Sequence, residues 1–274
     1  MDSRALDRIH MFDSSGLPVV HVEELGDYAT NLMGGIEITC SDDFIGYCAA
    51  RLERQHIEDL KDDLAVRLAE ARVLDTGKRT QVGTRLRPYV DYERRLLDRE
   101  PPRPVGVLYD GFDLCAAYNV FLSQADTPPD GLVVVLTNQL FGTFDENDGR
   151  YHARVIILGQ PCIISTTGLV EAPARPREFY LERQLGFGEL QREADMPERW
   201  LRPDDPRTTE VMKGYVAQAI CYHLTGEPFC EERGCRLFNA HWQEDLLFSQ
   251  LEGESEFCAH HMQLLRSFTG AIDG

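Results

Sequence analysis

Apolar residues recur at strand-like and helix-like spacings by turns along the 274-residue chain. Residues 17–25 (LPVVHVEEL) and 35–40 (GIEITC) have the β-branched, partly alternating content of strands. Between residues 42 and 74 the apolar positions repeat every three and four, which predicts a long amphipathic helix, or two in tandem, capped by SDD. Residues 75–104 are polar and arginine-rich, and they predict an irregular connection with room for one short strand.

The centre of the chain carries three strand-type apolar runs separated by turn-rich stretches. They are PVGVLYDG, GLVVVLTNQL and YHARVIILGQPCIIST, within residues 104–166. Because strands of nearly continuous apolar content are covered on both faces, the sequence predicts an α/β (α+β) fold, a mixed sheet with flanking helices. We expect residues 1–205 to form the sheet domain and residues 206–274 to form a C-terminal region that packs with it as one unit.

A further helix is predicted directly after residue 206. Apolar residues between positions 211 and 224 form a stripe of period 3.6, with Thr208 or Thr209 available as a cap and Gly226 placed to end the helix. His223 falls in its last turn. A histidine on a buried helix face is either a hydrogen-bonded core residue or a ligand, and its position alone favours the core residue.

Short cysteine and histidine spacings are confined to the tail after this helix. Cys230-x4-Cys235 is followed by Cys258-x2-His261. Two pairs of close soft donors, separated by a segment long enough for a helix, are typical of a closed tetrahedral site and predict one structural zinc per chain. His260 is the alternative fourth ligand. The remaining cysteines lie among apolar neighbours and are expected to be small buried side chains: Cys40, Cys48, Cys115, Cys162 and Cys221.

The same tail resembles the archaemetzincins, a family of metallopeptidases with the signature H-E-x-x-H-x-x-G-x-x-H-C-x4-C-x-M and a later C-x2-C pair. The residues that match this pattern, without a gap in the first part, are His223, Gly226, Cys230, Cys235 and Cys258, with His261 in place of the last cysteine. Longer stretches, such as KGYVAQAICYHLTGEPFC, resemble an archaeal family loosely labelled as metallopeptidases. The resemblance implies a metzincin-like layout and a zinc-bearing relative of these proteins.

The positions that would perform catalysis depart from the pattern. Ala219 stands at the first zinc ligand, Ile220 at the general-base glutamate and Phe229 at the third ligand. Leu237 stands at the methionine. A catalytic protease zinc needs three protein ligands, a water and a carboxylate that takes the water's proton. We therefore expect no peptidase activity through this helix, and we expect a binding or scaffold role with a peptide or a protein as partner.

The alternative is a metal-dependent hydrolase with a relocated active site. Its candidate residues have the donor types of a catalytic metal site, with the glutamate as ligand or base: His152, Glu171, His223 and His241. No short spacing ties these four together, which favours polar groups that hydrogen-bond the loops. The metal count separates the two hypotheses, since a scaffold needs one closed zinc site and a hydrolase needs a second metal or an open position.

Composition narrows the possible binding partners and the expected cellular location. The chain has 28 basic and 46 acidic residues, a net charge of −18. This charge repels nucleic-acid phosphate and anionic lipid, so neither is expected as a partner. Acid-rich, lysine-poor surfaces are typical of proteins from halophilic organisms, and the resemblance to an archaeal family implies an archaeal source. The sequence shows no secretory signal and no apolar run of about 18 residues, which predicts a cytoplasmic protein that does not enter membranes.

Overall fold

The computed structural model describes residues 6–50, 54–80, 86–99, 106–124, 131–184 and 199–269, apart from the side chains of residues 54, 55, 178 and 182–184. The strands in these ranges are β1 (Arg8–Ser14), β2 (Glu37–Ser41), β3 (Leu108–Asp110), β4 (Leu132–Thr137), β5 (Leu140–Asp145), β6 (Arg150–Arg154), β7 (Ile156–Ile157) and β8 (Cys162–Ser165). The helices are α1 (Val22–Met33), α2 (Phe44–Ala49), α3 (Arg54–Glu70), α4 (Arg87–Leu97), α5 (Gly111–Gln124), α6 (Thr166–Glu171), α7 (Arg177–Gln184), α8 (Thr208–Thr225), α9 (Gln243–Leu247) and α10 (Ala259–Thr269). A π-helical turn, Phe248–Glu252, follows α9 directly.

The strands form two mixed sheets. The larger has the order β2-β1-β4-β8-β7, in which β7 alone runs antiparallel to its neighbour and lies at the edge. The smaller has the order β3-β5-β6, with β3 parallel and β6 antiparallel to β5. The predicted α/β fold with mixed sheets and flanking helices is therefore confirmed.

The larger sheet is covered by helices on both faces. Along β4, Val134 and Leu136 join one core, which also holds residues of α1, α8 and the tail, whereas Val133 and Val135 join the other, with residues of α2, α3 and α5. Every residue of β4 is buried. Double coverage explains why this strand is apolar at successive positions and shows no alternation.

Several predicted elements are confirmed. Strand β2 begins two residues after the start of the run GIEITC and ends one residue after it, and the 42–74 segment forms two helices, α2 and α3. The side chain of Asp43 caps α2 by accepting a hydrogen bond of 2.7 Å from the backbone N–H of Gly46. The helix expected after residue 206 is α8, and it ends at Gly226.

The strand predicted at residues 17–25 is wrong. The chain turns there, with the N–H of Val20 donating to the carbonyl of Leu17 over 3.1 Å, and α1 begins at Val22. The buried residues Leu25, Ala29 and Met33 recur every four positions, so the helical stripe decides the structure and the short alternation before it does not. The strand that pairs with β2 is β1, which the sequence analysis did not predict.

The irregular connection predicted at residues 75–104 is wrong in its second half, where α4 spans eleven residues; residues 81–85 and 100–104 lie outside the described ranges. Helix α4 buries Leu96 and Leu97 and also makes charge pairs with α3. Arg94 pairs with Asp62 at 2.6 Å and also with Glu58, both on α3. The carboxylate of Glu93 is buried and accepts from Arg72 at 2.6 Å, so this buried charge has a partner.

The C-terminal region shares its core with the sheet. Cys235, Leu237 and Phe257 belong to the same buried cluster as α8 and the first face of the larger sheet. The predicted cap of α8 differs, because Arg207 stands at that position and makes no side-chain cap. The hydroxyl of Thr209 donates instead to the carbonyl of Val19 over 2.7 Å. None of the described helices combines the length and the apolar content needed to cross a bilayer.

Candidate metal centre

Helix α8 ends at Gly226, and the first cysteine pair begins four residues later, at Cys230. Gly226 adopts φ of 80°, and its N–H donates to the carbonyl of Tyr222 over 2.8 Å. This left-handed conformation suits glycine and closes the helix. The segment between Cys230 and Cys235 then folds back, since the N–H of Cys230 donates to the carbonyl of Leu237 over 2.8 Å.

The two cysteine pairs meet in space. Sγ of Cys230 lies 3.8 Å from Sγ of Cys258. Nδ1 of His261 lies 3.1 Å from Sγ of Cys258 and 3.9 Å from Sγ of Cys235. The four ligand atoms all lie within 4.8 Å of one another.

These distances fit the edges of a zinc tetrahedron. With Zn–S bonds of about 2.3 Å and a Zn–N bond of about 2.0 Å, a regular tetrahedron has S···S edges of about 3.8 Å and S···N edges of about 3.5 Å. The S···S distance of 3.8 Å equals the first value, and the S···N distances of 3.1 and 3.9 Å lie on either side of the second. The donor set and its spacing therefore suit zinc.

Backbone N–H groups support the sulfurs. The N–H of Glu232 donates to Sγ of Cys230 over 3.3 Å, and the N–H groups of Leu237 and Cys258 hydrogen-bond to Cys235. Burial nevertheless raises the pKa of the Cys230 and Cys235 thiols. The thiols therefore keep their protons at neutral pH until a metal displaces them, and zinc uptake releases protons.

Helix α10 positions His261 next to Cys258. Cys258 directly precedes the helix and His261 lies in its first turn, three residues on, so both face the same side. His261 is buried, and burial, with a smaller effect of His260, lowers its pKa and keeps the imidazole neutral as a metal ligand requires. His260 is exposed, and its ring centroid lies 4.9 Å from that of His261.

Apolar side chains stand at the positions that carry the catalytic residues in the archaemetzincin signature. Ala219 and Ile220 are 1% and 0% exposed and lie in the core between α8 and the sheet. Phe229 is exposed, and Leu237 is fully buried. The core face of α8 therefore offers no metal ligand at these positions.

The four candidates for a relocated site lie on separate elements. His152 lies on β6, Glu171 at the exposed end of α6, His223 in the last turn of α8 and His241 in the exposed segment before α9. Among the described residues, no three of these four bring ligand atoms within 4.8 Å of one another.

His152 belongs instead to a different group at the turn between β5 and β6. It shares that turn with Asp145 and Asp148, with all three ligand atoms within 4.8 Å of one another. Nε2 of His152 lies 2.8 Å from the carboxylate of Asp148, which also accepts from Arg150 over 2.9 Å. From the sequence, the acidic segment DENDG is interpreted as a turn whose oxygens are too few in register for calcium, so the two aspartates are not predicted as ligands.

A cleft of about 430 Å³ lies beside the edge strand β7. Its walls come from residues 153–158, from Phe112 of α5 and from the segment after α8, including Phe229 and His241. Its floor includes Gln218, which is 2% exposed and whose Oε1 makes no hydrogen bond with any described residue. Ala172 and Pro173 also line it, whereas the other three candidate residues, all within the described ranges, do not.

Gln218 and Phe112 were not predicted from the sequence. Gln218 is the one amide within the apolar run YVAQAICY, a signal that marks it in retrospect. Phe112 lies on α5, more than one hundred residues before the α8 residues that line the cleft, and no local sequence pattern connects the two segments.

Comparison with known proteins gives a family match. The model of the probable metallopeptidase family (DUF6775) matches residues 5–268. Among solved structures, the chain is similar to archaemetzincin (AmzA) from Methanopyrus kandleri, with 10% sequence identity, a TM-score of 0.47 and 98% of each chain covered. No significant match is found among curated proteins. The predicted relationship to metallopeptidases is confirmed: the chain belongs to the probable metallopeptidase family.

Proposed function

We propose that this chain is a zinc-binding member of the family that does not hydrolyse peptides through its α8 motif and acts as a binding protein. The observation that carries the proposal is the burial of Ala219 and Ile220, 1% and 0% exposed, where a zinc ligand and a general base would be required. Neither side chain has a donor atom for a metal or a proton. With Phe229 at the third ligand position, His223 alone cannot hold a catalytic zinc.

The zinc is proposed to be structural and to be held by Cys230, Cys235, Cys258 and His261. Three thiolates and an imidazole fill a tetrahedron and leave no position for a reactive water. The ion would tie the loop between the first two cysteines to the start of α10. Its binding free energy then contributes directly to the stability of the tail.

The cleft beside β7 supports the binding role. Since β7 lies at the edge of the larger sheet and no described strand pairs with its outer side, an extended segment can add there over the two residues Ile156–Ile157. Phe112 and Phe229 are 64% and 43% exposed at the rim, an unusual exposure for phenylalanine that suits apolar side chains of a partner. We propose an extended, apolar peptide segment as the ligand.

A metal count tests the structural assignment. The purified protein is expected to contain one zinc per chain and to show no chelator-sensitive hydrolysis of unstructured protein substrates, because α8 supplies neither a three-ligand site nor a base. Elemental analysis and a casein cleavage assay measure the two quantities. Zinc-dependent cleavage by the unmodified chain would refute the proposal.

A binding assay tests the cleft. Reduced, carboxymethylated α-lactalbumin, an unfolded and apolar probe, is expected to bind, and Phe229→Ser is expected to weaken binding about tenfold because it removes an exposed aromatic contact. Fluorescence anisotropy measures the affinity. Leu74→Ser is the matched control, since Leu74 is 61% exposed and does not line the cleft. Equal weakening by both variants would indicate non-specific apolar binding and contradict the proposal.

The second candidate function is a metal-dependent hydrolase with a relocated site. The grouping of His152 with Asp145 and Asp148 favours it, because two carboxylates and an imidazole suit a divalent metal. The pairing of Asp148 with Arg150 opposes it, since a cation already occupies that carboxylate. Two metals per chain, one of them lost in a His152→Ala variant, would support this alternative.

A further inference from the structure

A second cavity, of about 800 Å³, is lined by residues that neighbour three of the proposed zinc ligands in sequence: Arg236, Phe257 and Met262. It is bounded by α1, the first half of α8, the π-helical turn and α10, and it shares no lining residue with the cleft beside β7. Arg236, which follows a proposed zinc ligand directly, forms part of its wall. Nothing in the proposed function uses this cavity.

Two buried donors lie in the wall of this cavity. Nη1 of Arg236 makes no hydrogen bond within the described part of the chain. The hydroxyl of Tyr28 lies beside the side chains of Glu256 and Arg236. A buried donor without a partner is costly, and Nη1 of Arg236 indicates that a ligand supplies the missing acceptor.

The two donors lie next to each other. The guanidinium of Arg236 pairs with Glu210 through Nη2, and its Cζ lies 5.5 Å from the centroid of the Tyr28 ring. Burial, and then the neighbouring carboxylate of Glu256, raises the pKa of Tyr28, so the phenol keeps its proton. A carboxylate against this wall would accept from both donors, and charge-assisted bonds of this kind are strong.

An acceptor of opposite charge stands next to these donors. A carboxylate oxygen of Glu256 lies 3.4 Å from Nε of Arg236, a loose contact, and the Glu256 side chain is 40% exposed. A cation and an anion this close match the ammonium and the carboxylate of an α-amino acid, which are neighbours on one carbon. Leu251, Met262 and Leu265 supply an apolar wall for its side chain.

We propose that this cavity binds a small zwitterion with an apolar side chain, an α-amino acid of the leucine or methionine type. The carboxylate lies against Arg236 and Tyr28, the ammonium against Glu256, and the side chain against the apolar wall. The lining carries both signs of charge, from Arg236 and Glu256, so a zwitterion matches it. A simple anion would be repelled by the net charge of −18 on the chain.

A calorimetric titration of the zinc-loaded protein with l-leucine tests the proposal. We expect saturable binding, and we expect N-acetylleucine, leucinamide and glycine each to bind at least about tenfold more weakly, because each lacks one of the three recognised groups. Absence of saturation by both leucine and methionine up to about 10 mM would overturn the proposal, as would equal affinity for leucine and its two blocked derivatives.

A conservative variant separates binding from folding. Tyr28→Phe removes one hydroxyl and keeps the ring that packs near Arg236, so the melting temperature should fall by no more than about 4 °C, while the affinity for leucine should fall about fivefold. Tyr222→Phe is the control, since Tyr222 is exposed on α8 and does not line the cavity. Glu256→Gln should weaken leucine and leave N-acetylleucine unchanged. Unaltered leucine affinity in both the Tyr28 and the Glu256 variants would overturn the assignment.

Discussion

Cys258→Ser is expected to release the zinc and to lower the free energy of unfolding by about 3 kcal/mol or more. Cys258 is buried, and its sulfur lies 3.8 Å from that of Cys230 and 3.1 Å from Nδ1 of His261, so it contacts two other proposed ligands. A serine hydroxyl does not replace a thiolate as a zinc ligand. The loop at Cys235 and the start of α10 then lose their link. Metal content and urea unfolding in the presence of zinc measure the two effects.

The matched control for this prediction is Cys40→Ser. Cys40 is half-buried outside the metal centre, and its thiol donates to the carbonyl of Val22 over 3.5 Å, a bond that a hydroxyl can also make. This variant is expected to keep one zinc per chain and to change stability by less than about 1 kcal/mol. If Cys258→Ser retained full zinc and unfolded at the same urea concentration as Cys40→Ser, the four-ligand site would be wrong.

The same two measurements decide the fourth ligand. His261→Ala is expected to behave like Cys258→Ser, because His261 is buried with Nδ1 toward the sulfurs. His260→Ala is expected to leave zinc in place, since His260 is exposed at the next position. The reverse result would assign the ligand to His260.

The sequence predicts the parts of the fold whose burial is set by local spacing. Strand β4 is buried at every position, and its unbroken apolar run marks it without knowledge of its neighbours. Helix α8 is marked by a stripe of period 3.6 and by Gly226, whose left-handed conformation ends it. The proximity of Cys230, Cys235, Cys258 and His261 is predictable for the same reason, because each half of this set is a short spacing within one loop or one helical turn.

The errors arise where a partner distant in sequence decides the structure. Strand β1 begins with Arg8 and ends with polar residues, and it becomes a buried central strand only because β2 and β4 flank it. Helix α4 buries Leu96 and Leu97, but its third buried residue is Glu93, which is tolerable only beside Arg72 and the hydroxyl of Tyr109. The partners of such a residue or strand are not visible in the segment itself.

The two cavities were not predictable for a related reason. The cleft needs Phe112 from α5 and Phe229 from the segment after α8, which come together only at the sheet edge. The cavity near the metal centre combines residues of α1 and α10, the first and the last of the described helices. Only the folded arrangement shows that Tyr28 and Arg236 present donors to one space.

Gly214→Ala is expected to lower the free energy of unfolding by about 3 kcal/mol, although alanine favours a helix interior by about 1 kcal/mol over glycine. Gly214 lies within α8, where the amide of Gln250 packs directly on its Cα. A Cβ at this position would lie 1.9 Å from Oε1 of Gln250 and 2.6 Å from its Cδ. Gln250 is 3% exposed, and its Nε2 holds the carbonyl of Arg236, so the amide cannot move aside without breaking that bond. Thermal and urea unfolding measure the loss.

Gly234→Ala supplies the matched comparison, because an added Cβ there meets nothing within 4 Å and the residue does not adopt a positive φ. It changes the same residue type in the same C-terminal region, and its effect on stability is expected to stay within about 0.5 kcal/mol. A double variant, Gly214→Ala with Gln250→Ala, should recover much of the loss, since truncation of the amide removes the clash. Equal stabilities of the Gly214 and Gly234 single variants would contradict the close packing of the π-helical turn on α8. Failure of the double variant to recover would place the cost in α8 itself and not in its contact with Gln250.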